Sequence, residues 1–164
     1  MQVNITEFVQ MLTAYTAFMS ISTDEAFQPD IKATVAWLDH QFTTKGFEVE
    51  TFQGPKTNPV LFASYHHSDA AQTILFYGHY DVQPAKQKDG WSQPPFEATI
   101  KNGRIEARGV VDNKGQNLIH MYTVFQLMKE GKLKYNVKFL LEGNEETGNP
   151  DMSALIQQHQ DKLK

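Results

Sequence analysis

Residues 74–85, ILFYGHYDVQPA, join a run of apolar side chains directly to a histidine and an aspartate. The nearly all-apolar run at 73–77 predicts a central strand that is covered on both faces of a sheet. His79 and Asp81 follow, and side chains two residues apart in an extended segment point to the same side. Asp81 is therefore placed to accept a hydrogen bond from a ring nitrogen of His79, as carboxylates do behind metal-bound imidazoles. A lone histidine after a strand is more often structural, so the segment needs partners elsewhere in the chain.

Outside this segment the apolar pattern alternates between helical and strand periods. The predicted helices occupy residues 8–19, a segment that starts near Pro29 and ends before Gly46, residues 114–129, and a segment after Pro150. The predicted strands occupy residues 47–52, 60–65, 73–77 and 137–141, with a hairpin at 96–107 around Asn102-Gly103. Asn4 with Glu7 predicts an N-terminal cap for the first helix. This order predicts an α/β fold with three α/β/α layers around a mixed central sheet.

Composition limits what the chain binds. Its 164 residues include 19 acidic and 15 basic side chains, and the net charge of −4 predicts no nucleic acid and no membrane among its partners. The chain has no cysteine, which excludes disulfides and thiolate metal sites. The apolar stretch near the N-terminus is too short to span a bilayer and lacks the basic residues of a secretory signal, so we expect a cytoplasmic location.

Three polar clusters lie at the ends of predicted elements. They are His79 with Asp81, the segment RGVVDNKG at 108–115, and the segment EGNEETG at 142–148. Ligands of open α/β sheets bind outside the carboxyl ends of strands, where two of these clusters lie. The middle cluster also has an ordinary explanation, with Asp112 as a helix cap and with Asn113 and Lys114 as solvated residues of the first turn.

The 142–148 cluster contains adjacent glutamates, Glu145 and Glu146. In an extended stretch their side chains point in opposite directions, so one could bind a metal while the other faces a water molecule. An isolated pair of this kind is usually a solvated acidic loop. Carboxylates with one histidine and no cysteine give a nitrogen–oxygen ligand set that suits zinc, manganese or cobalt. A pair of metals would need a bridging carboxylate, for which Asp112 is the candidate.

These motifs resemble those of the co-catalytic two-metal family of aminopeptidases, dipeptidases and deacetylases. The shared segments, in chain order, are GHYDVQP, Trp91 with Pro94-Pro95-Phe96-Glu97, NGRIEARGVVDNKG and EGNEETG. That family includes carnosine dipeptidase, glutamate carboxypeptidase, aminoacylase, acetylornithine deacetylase and succinyl-diaminopimelate desuccinylase. The first two segments are most similar to those of the dipeptidase branch.

The resemblance implies a role for each matching residue. His79 would bind one metal, and Asp81 would orient the imidazole. Asp112 would bridge two metals, and Glu146 would bind the second. Glu145 would be the general base that takes a proton from the metal-bridging water.

The resemblance also implies an activity and a local backbone feature. The activity is that of a metal-dependent hydrolase cleaving a peptide or N-acyl amide bond of a small peptide or N-acyl amino acid. Its cofactors would be two divalent ions, zinc first, with manganese or cobalt as alternatives. The peptide bond after Asp112 is expected to be cis. Many relatives carry a second aspartate where this chain has Asn113, whose side chain is not expected to bind metal.

Members of this family are usually much longer than this chain. Residues 1–164 are therefore expected to be the N-terminal part of a catalytic domain, without the lid or dimerisation domain and the C-terminal half. An aspartate and a histidine ligand would lie beyond Lys164, so we expect this chain alone to bind metal weakly and to be inactive. The full-length protein would be a homodimer.

Two alternatives stay open at this point. One is a catalytically inactive fragment or remnant that acts as an interaction module. The other is an unrelated α/β binding protein whose carboxylates are only helix caps and surface charge.

Overall fold

A four-stranded mixed sheet forms the centre of the computed structural model, which describes residues 3–69 and 71–164. Its strands are β1 (Glu48–Phe52), β2 (Val60–Tyr65), β3 (Thr73–His79) and β6 (Asn136–Glu142), and a separate hairpin consists of β4 (Thr99–Lys101) and β5 (Arg104–Glu106). The helices are α1 (Ile5–Ala17), α2 (Gln28–Thr43), α3 (Lys114–Lys129), α4 (Met152–Gln158) and α5 (Gln160–Leu163). Each predicted helix and strand is present, which confirms the α/β class.

Side chains of β2 alternate between two hydrophobic layers. Leu61 and Ala63 pack in a cluster with α1, α2 and α3. Val60 and Phe62 pack on the other face with Leu155 of α4. Helices therefore cover both faces of the sheet, which confirms the three-layer arrangement. In the described ranges, none of the helices has the length and apolar character needed to cross a membrane.

The strand order β1-β2-β6-β3 brings two of the polar clusters together. β1 and β6 run antiparallel to β2, whereas β3 runs parallel to β6 with His79 opposite Glu142. Because β3 and β6 point the same way, the segments that follow His79 and Glu142 leave the sheet at the same edge. Open α/β sheets bind their ligands at this edge.

β3 lies at the edge of the sheet in the described part of the chain, so the prediction of a central strand covered on both faces is wrong. Ile74, Leu75 and Tyr77 are 36%, 42% and 55% exposed, while Phe76 packs against the core cluster. Apolar side chains that favour strands indicate that a segment is extended, but they do not fix the number of strands beside it. β3 also continues past its predicted end at Tyr77 and includes His79.

Two local signals in the sequence are confirmed. Asn4 Oδ1 accepts a hydrogen bond of 3.2 Å from the N–H of Glu7 and so caps α1. Asn102 and Gly103 have φ angles of 53° and 73°, as the two-residue turn between β4 and β5 requires.

Candidate metal centre

The end of β3 and the start of α3 bring His79 and Asp112 together. His79 Nε2 lies 2.9 Å from Asp112 Oδ1, and the side chains are 7% and 65% exposed. The peptide bond between Asp112 and Asn113 is cis, as expected. The N–H of His79 donates to Asn113 Oδ1 at 3.2 Å, and its carbonyl accepts from Asn117 Nδ2 at 2.7 Å. The first turn of α3 is thereby fixed to the end of β3, and the view of Asn113 as a merely solvated residue is wrong.

Gly78 allows this close approach. A Cβ atom at this position would overlap the side-chain oxygens of Asn113 and Asn117. The glycine that interrupts the apolar run is therefore required by the contact between β3 and α3, and it places the next residue, His79, against α3.

Asp81 is fully buried, and its carboxylate connects His79 to the turn that follows β6. Oδ1 lies 3.3 Å from His79 Nδ1, and the backbone carbonyl of Asp81 lies closer to that nitrogen, at 3.1 Å. Oδ1 accepts the N–H of Glu145 and Oδ2 accepts that of Glu146, each at 3.2 Å. Ser22 Oγ donates a further hydrogen bond of 2.6 Å to Oδ2. The carboxylate therefore lies behind the imidazole and also fixes the backbone of both glutamates.

Glu145–Thr147 form a turn of 3-10 helix, so the prediction of an extended stretch with opposed side chains is wrong. The turn forms because the Asp81 carboxylate accepts the first N–H groups, which a helix start leaves without backbone partners. Gly148, with a φ angle of 67°, ends the turn and donates its N–H to the carbonyl of Glu145 at 2.9 Å.

His79, Asp112 and Glu146 form a group that could hold a metal ion. Each offers one ligand atom, and these atoms all lie within 4.8 Å of one another. Gln83 Nε2 donates to Glu146 Oε2 at 2.9 Å, which restrains that carboxylate. Glu145 lies beside the group, with Oε2 3.9 Å from His79 Nε2. The nitrogen–oxygen donor set and the clustered negative charge fit a divalent cation.

The negative groups around His79 favour its protonated form. Burial lowers the pKa of His79. The carboxylate and the carbonyl of Asp81, and then Asp112, raise it by more than burial lowers it, so the pKa is about 9. In the metal-free protein the ring is therefore protonated at neutral pH and can donate to both carboxylates. A metal ion that binds Nε2 would have to displace that proton.

Lys114 is fully buried, so the prediction of a solvated lysine in the first turn is wrong. Its Nζ donates to the carbonyls of Phe18 at 2.7 Å and Tyr15 at 3.2 Å, at the C-terminal end of α1. Burial lowers the pKa of Lys114 to about 7, while the carboxylates of Asp30 and Asp81 act in the opposite direction. These hydrogen bonds anchor the start of α3 to α1.

Sequence reasoning missed three residues that contact the site: Ser22, Gln83 and Asn117. Gln83 belongs to the segment GHYDVQP, and Asn117 lies in the first turns of α3. Their closeness in sequence to the polar clusters could have indicated that they contact the site. Ser22 lies in the connection between α1 and α2, 59 residues before Asp81. No pattern in the sequence joins Ser22 to that aspartate.

Several known proteins are similar to this chain. Residues 75–164 match the sequence profile of peptidase family M20/M25/M40. The Cys-Gly metallodipeptidase of Schizosaccharomyces pombe is 32% identical over 168 residues, which cover 95% of this chain and 35% of that protein. The Beta-Ala-His dipeptidase of Rattus norvegicus is 37% identical over 113 residues, which cover 68% of this chain and 23% of that protein.

The solved structures include a similar fold. The crystal structure of human carnosine dipeptidase 1 matches with a TM-score of 0.89 at 30% identity, over 95% of this chain and 36% of that one. The chain thus spans between 23% and 36% of the length of these three relatives.

Proposed function

Because the chain belongs to peptidase family M20/M25/M40, we propose that it forms part of a metal-dependent hydrolase that cleaves a peptide or N-acyl amide bond of a small substrate. The observation that supports this function best is the approach of ligand atoms from His79, Asp112 and Glu146 to within 4.8 Å of one another. Residues 1–164 would supply the N-terminal part of the catalytic domain. That division, a cytoplasmic location and a homodimeric assembly stay predictions.

Two divalent ions would share one carboxylate. His79 and Asp112 would hold one ion, and Asp112 and Glu146 the other. When bound, such ions supply a Lewis acid that polarises the scissile carbonyl and makes a water molecule more acidic. His79 presents Nε2 to the group because its Nδ1 faces Asp81. We propose zinc as the metal, with manganese and cobalt as alternatives that the same ligands accept.

Glu145 is the proposed general base. Its side chain is 50% exposed and its Oε2 lies 3.9 Å from His79 Nε2, so the carboxylate borders the ligand group without belonging to it. Its backbone is fixed by the hydrogen bond from its N–H to Asp81. From this position the carboxylate accepts a proton from the attacking water and passes it to the leaving amine.

A dipeptide is the proposed substrate. The relative from Schizosaccharomyces pombe is named for Cys-Gly and the rat relative for Beta-Ala-His, both of which are dipeptides. An N-acyl amino acid contains the same kind of amide bond and is the alternative substrate class.

Replacing Glu145 with glutamine tests this function. Glutamine keeps the size of the side chain but cannot accept the proton, and a positioned general base contributes about 100-fold to 10,000-fold to a rate. In the complete protein loaded with zinc or manganese, we therefore expect kcat to fall about 100-fold or more with Cys-Gly, Beta-Ala-His or N-acyl amino acids as substrates. Affinity for the metal should change little, because Glu145 lies outside the ligand group.

Glu48→Gln is the matched control, since Glu48 is exposed on β1 and should leave turnover unchanged. Undiminished turnover by Glu145→Gln would overturn the assignment of the base. A complete protein that hydrolyses none of these substrates with either metal would instead support the inactive remnant.

A further inference from the structure

We infer that Ser22 is a positioning residue that fixes the orientation of the Asp81 carboxylate. That carboxylate contacts the His79 ring and the turn at Glu145–Thr147, so the inference extends the site into the connection between α1 and α2. It rests on the function proposed above, because orienting His79 matters only if that ring serves as a ligand.

Ser22 makes the shortest hydrogen bond that the described residues give to the Asp81 carboxylate. Its Oγ lies 2.6 Å from Oδ2, whereas the N–H groups of Glu145 and Glu146 lie at 3.2 Å. A hydroxyl that donates to a carboxylate at about 2.5–2.7 Å forms a strong charge-assisted hydrogen bond. The hydrogen bond from Ser22 should therefore determine the orientation of the carboxylate more strongly than the two N–H groups of the turn do.

The two carboxylate oxygens of Asp81 have separate partners. Ser22 holds Oδ2, which leaves Oδ1 directed at His79 Nδ1 at 3.3 Å. Without the hydroxyl, Oδ2 would keep one long contact among the described residues, with the N–H of Glu146. A fully buried carboxylate needs several donors, so it would rotate to improve its remaining contacts. That rotation would change the contacts to the imidazole and to both amides.

The backbone around Ser22 is itself held in place. Ser20 Oγ donates to the carbonyl of Tyr80 at 2.7 Å, and the N–H of Val82 donates to the carbonyl of Ser20 at 3.0 Å. Ile21 and Val82 form a parallel bridge. The connection between α1 and α2 is thus paired with the segment that carries Asp81, so the Ser22 hydroxyl approaches Asp81 from a fixed direction.

The test compares Ser22→Ala with Ser22→Thr, which keeps a hydroxyl. In the metal-free protein, NMR should show that Ser22→Ala shifts the amide signals of Glu145 and Glu146 and the ring-nitrogen signals of His79. Ser22→Thr should restore them. Calorimetric titration with Mn²⁺ should show about tenfold weaker binding for Ser22→Ala and recovery for Ser22→Thr, since partners that orient metal ligands are worth about 10-fold to 100-fold in affinity.

Thr16→Val is the matched control. Thr16 is buried and its hydroxyl donates to the carbonyl of Leu12 within α1, so the variant loses one buried hydrogen bond away from the site. It should leave the signals of His79 and the glutamates unchanged. Ser22→Ala signals identical to those of the unmodified protein, or the same shifts in Thr16→Val, would overturn the inference. Absence of Mn²⁺ binding by every variant of the complete protein would count against the proposed function, while the NMR comparison would still decide the role of Ser22.

Discussion

Replacing Asp81 with asparagine should remove most of the pH dependence that the His79–Asp81 pair gives to the stability of the metal-free protein. The pKa of His79 is about 9 in the folded protein, against an ordinary value of 6.5 in the unfolded chain. One pH unit of difference corresponds to about 1.4 kcal/mol. Burial opposes the charged ring and the acceptors around it favour that charge, so together they stabilise the protonated form by a net value of about 3 kcal/mol. The His79 and Asp81 side chains are 7% and 0% exposed, so solvent screens this interaction little.

The sign of the effect follows from the raised pKa. Its contribution to stability is fully present below the unfolded value of 6.5 and is lost as the pH rises through about 9. Asparagine keeps the shape of Asp81 but removes the charge, so burial should return the pKa of His79 toward or below its ordinary value. Lys114, whose pKa is lowered to about 7, gives the opposite trend above neutral pH. The burial of Lys114 is the same in both proteins, so that part of its effect should cancel in a comparison. The Asp81 carboxylate also raises the pKa of Lys114, so Asp81→Asn leaves a residual difference from the lysine.

Urea unfolding with a chelator, at about pH 6, 7.5 and 9.5, measures this contribution. The difference in free energy of unfolding between the unmodified protein and Asp81→Asn should shrink by about 2–3 kcal/mol from the lowest pH to the highest. Asp69→Asn is the control, because Asp69 pairs with His66 at 3.1 Å on the surface, where ion pairs contribute little. A difference that stays constant across the three pH values would refute the reasoning.

Two further predictions concern the end of β3. Gly78→Ala should lower the free energy of unfolding by about 1–3 kcal/mol, because the added Cβ overlaps the Asn113 and Asn117 side chains. Urea unfolding measures this change, and an unchanged free energy of unfolding would contradict the close contact. Metal binding should release about one proton from His79 at pH 7, with affinity rising up to about pH 9. Calorimetry in buffers of different ionisation enthalpy measures this release, and a binding enthalpy independent of the buffer would argue against it.

The sequence predicted the elements whose determinants are local. α3 begins at Lys114 and ends at Lys129 as predicted, since a helical stripe of apolar residues followed by a glycine is visible in one segment. The turn at Asn102 and Gly103 was predictable for the same reason, because both residues adopt the positive φ angles that the turn needs. The rule that open sheets bind ligands at strand ends also indicated correctly that the segments after β3 and β6 meet.

The predictions that failed depended on partners far away in the chain. Lys114 was expected in solvent because most lysines are exposed, but its ammonium donates to carbonyls that lie 96 and 99 residues earlier. Backbone carbonyls occur at every residue and leave no sequence signal. The prediction of an extended stretch at Glu145 and Glu146 failed for a similar reason. The 3-10 turn found there depends on the Asp81 carboxylate, which lies more than 60 residues away in the chain.

These distant contacts address a physical problem of the site. Asp112, Glu145 and Glu146 bring carboxylates close to one imidazole, and like charges at short range repel when no cation is bound. The backbone that carries them must therefore be held by other groups. The Asp81 carboxylate accepts the N–H groups of the turn and the hydroxyl of Ser22, and none of these donors is one of the converging ligand atoms. Such a framework keeps the ligand atoms converged before a metal binds, which lowers the cost of ordering them at that moment.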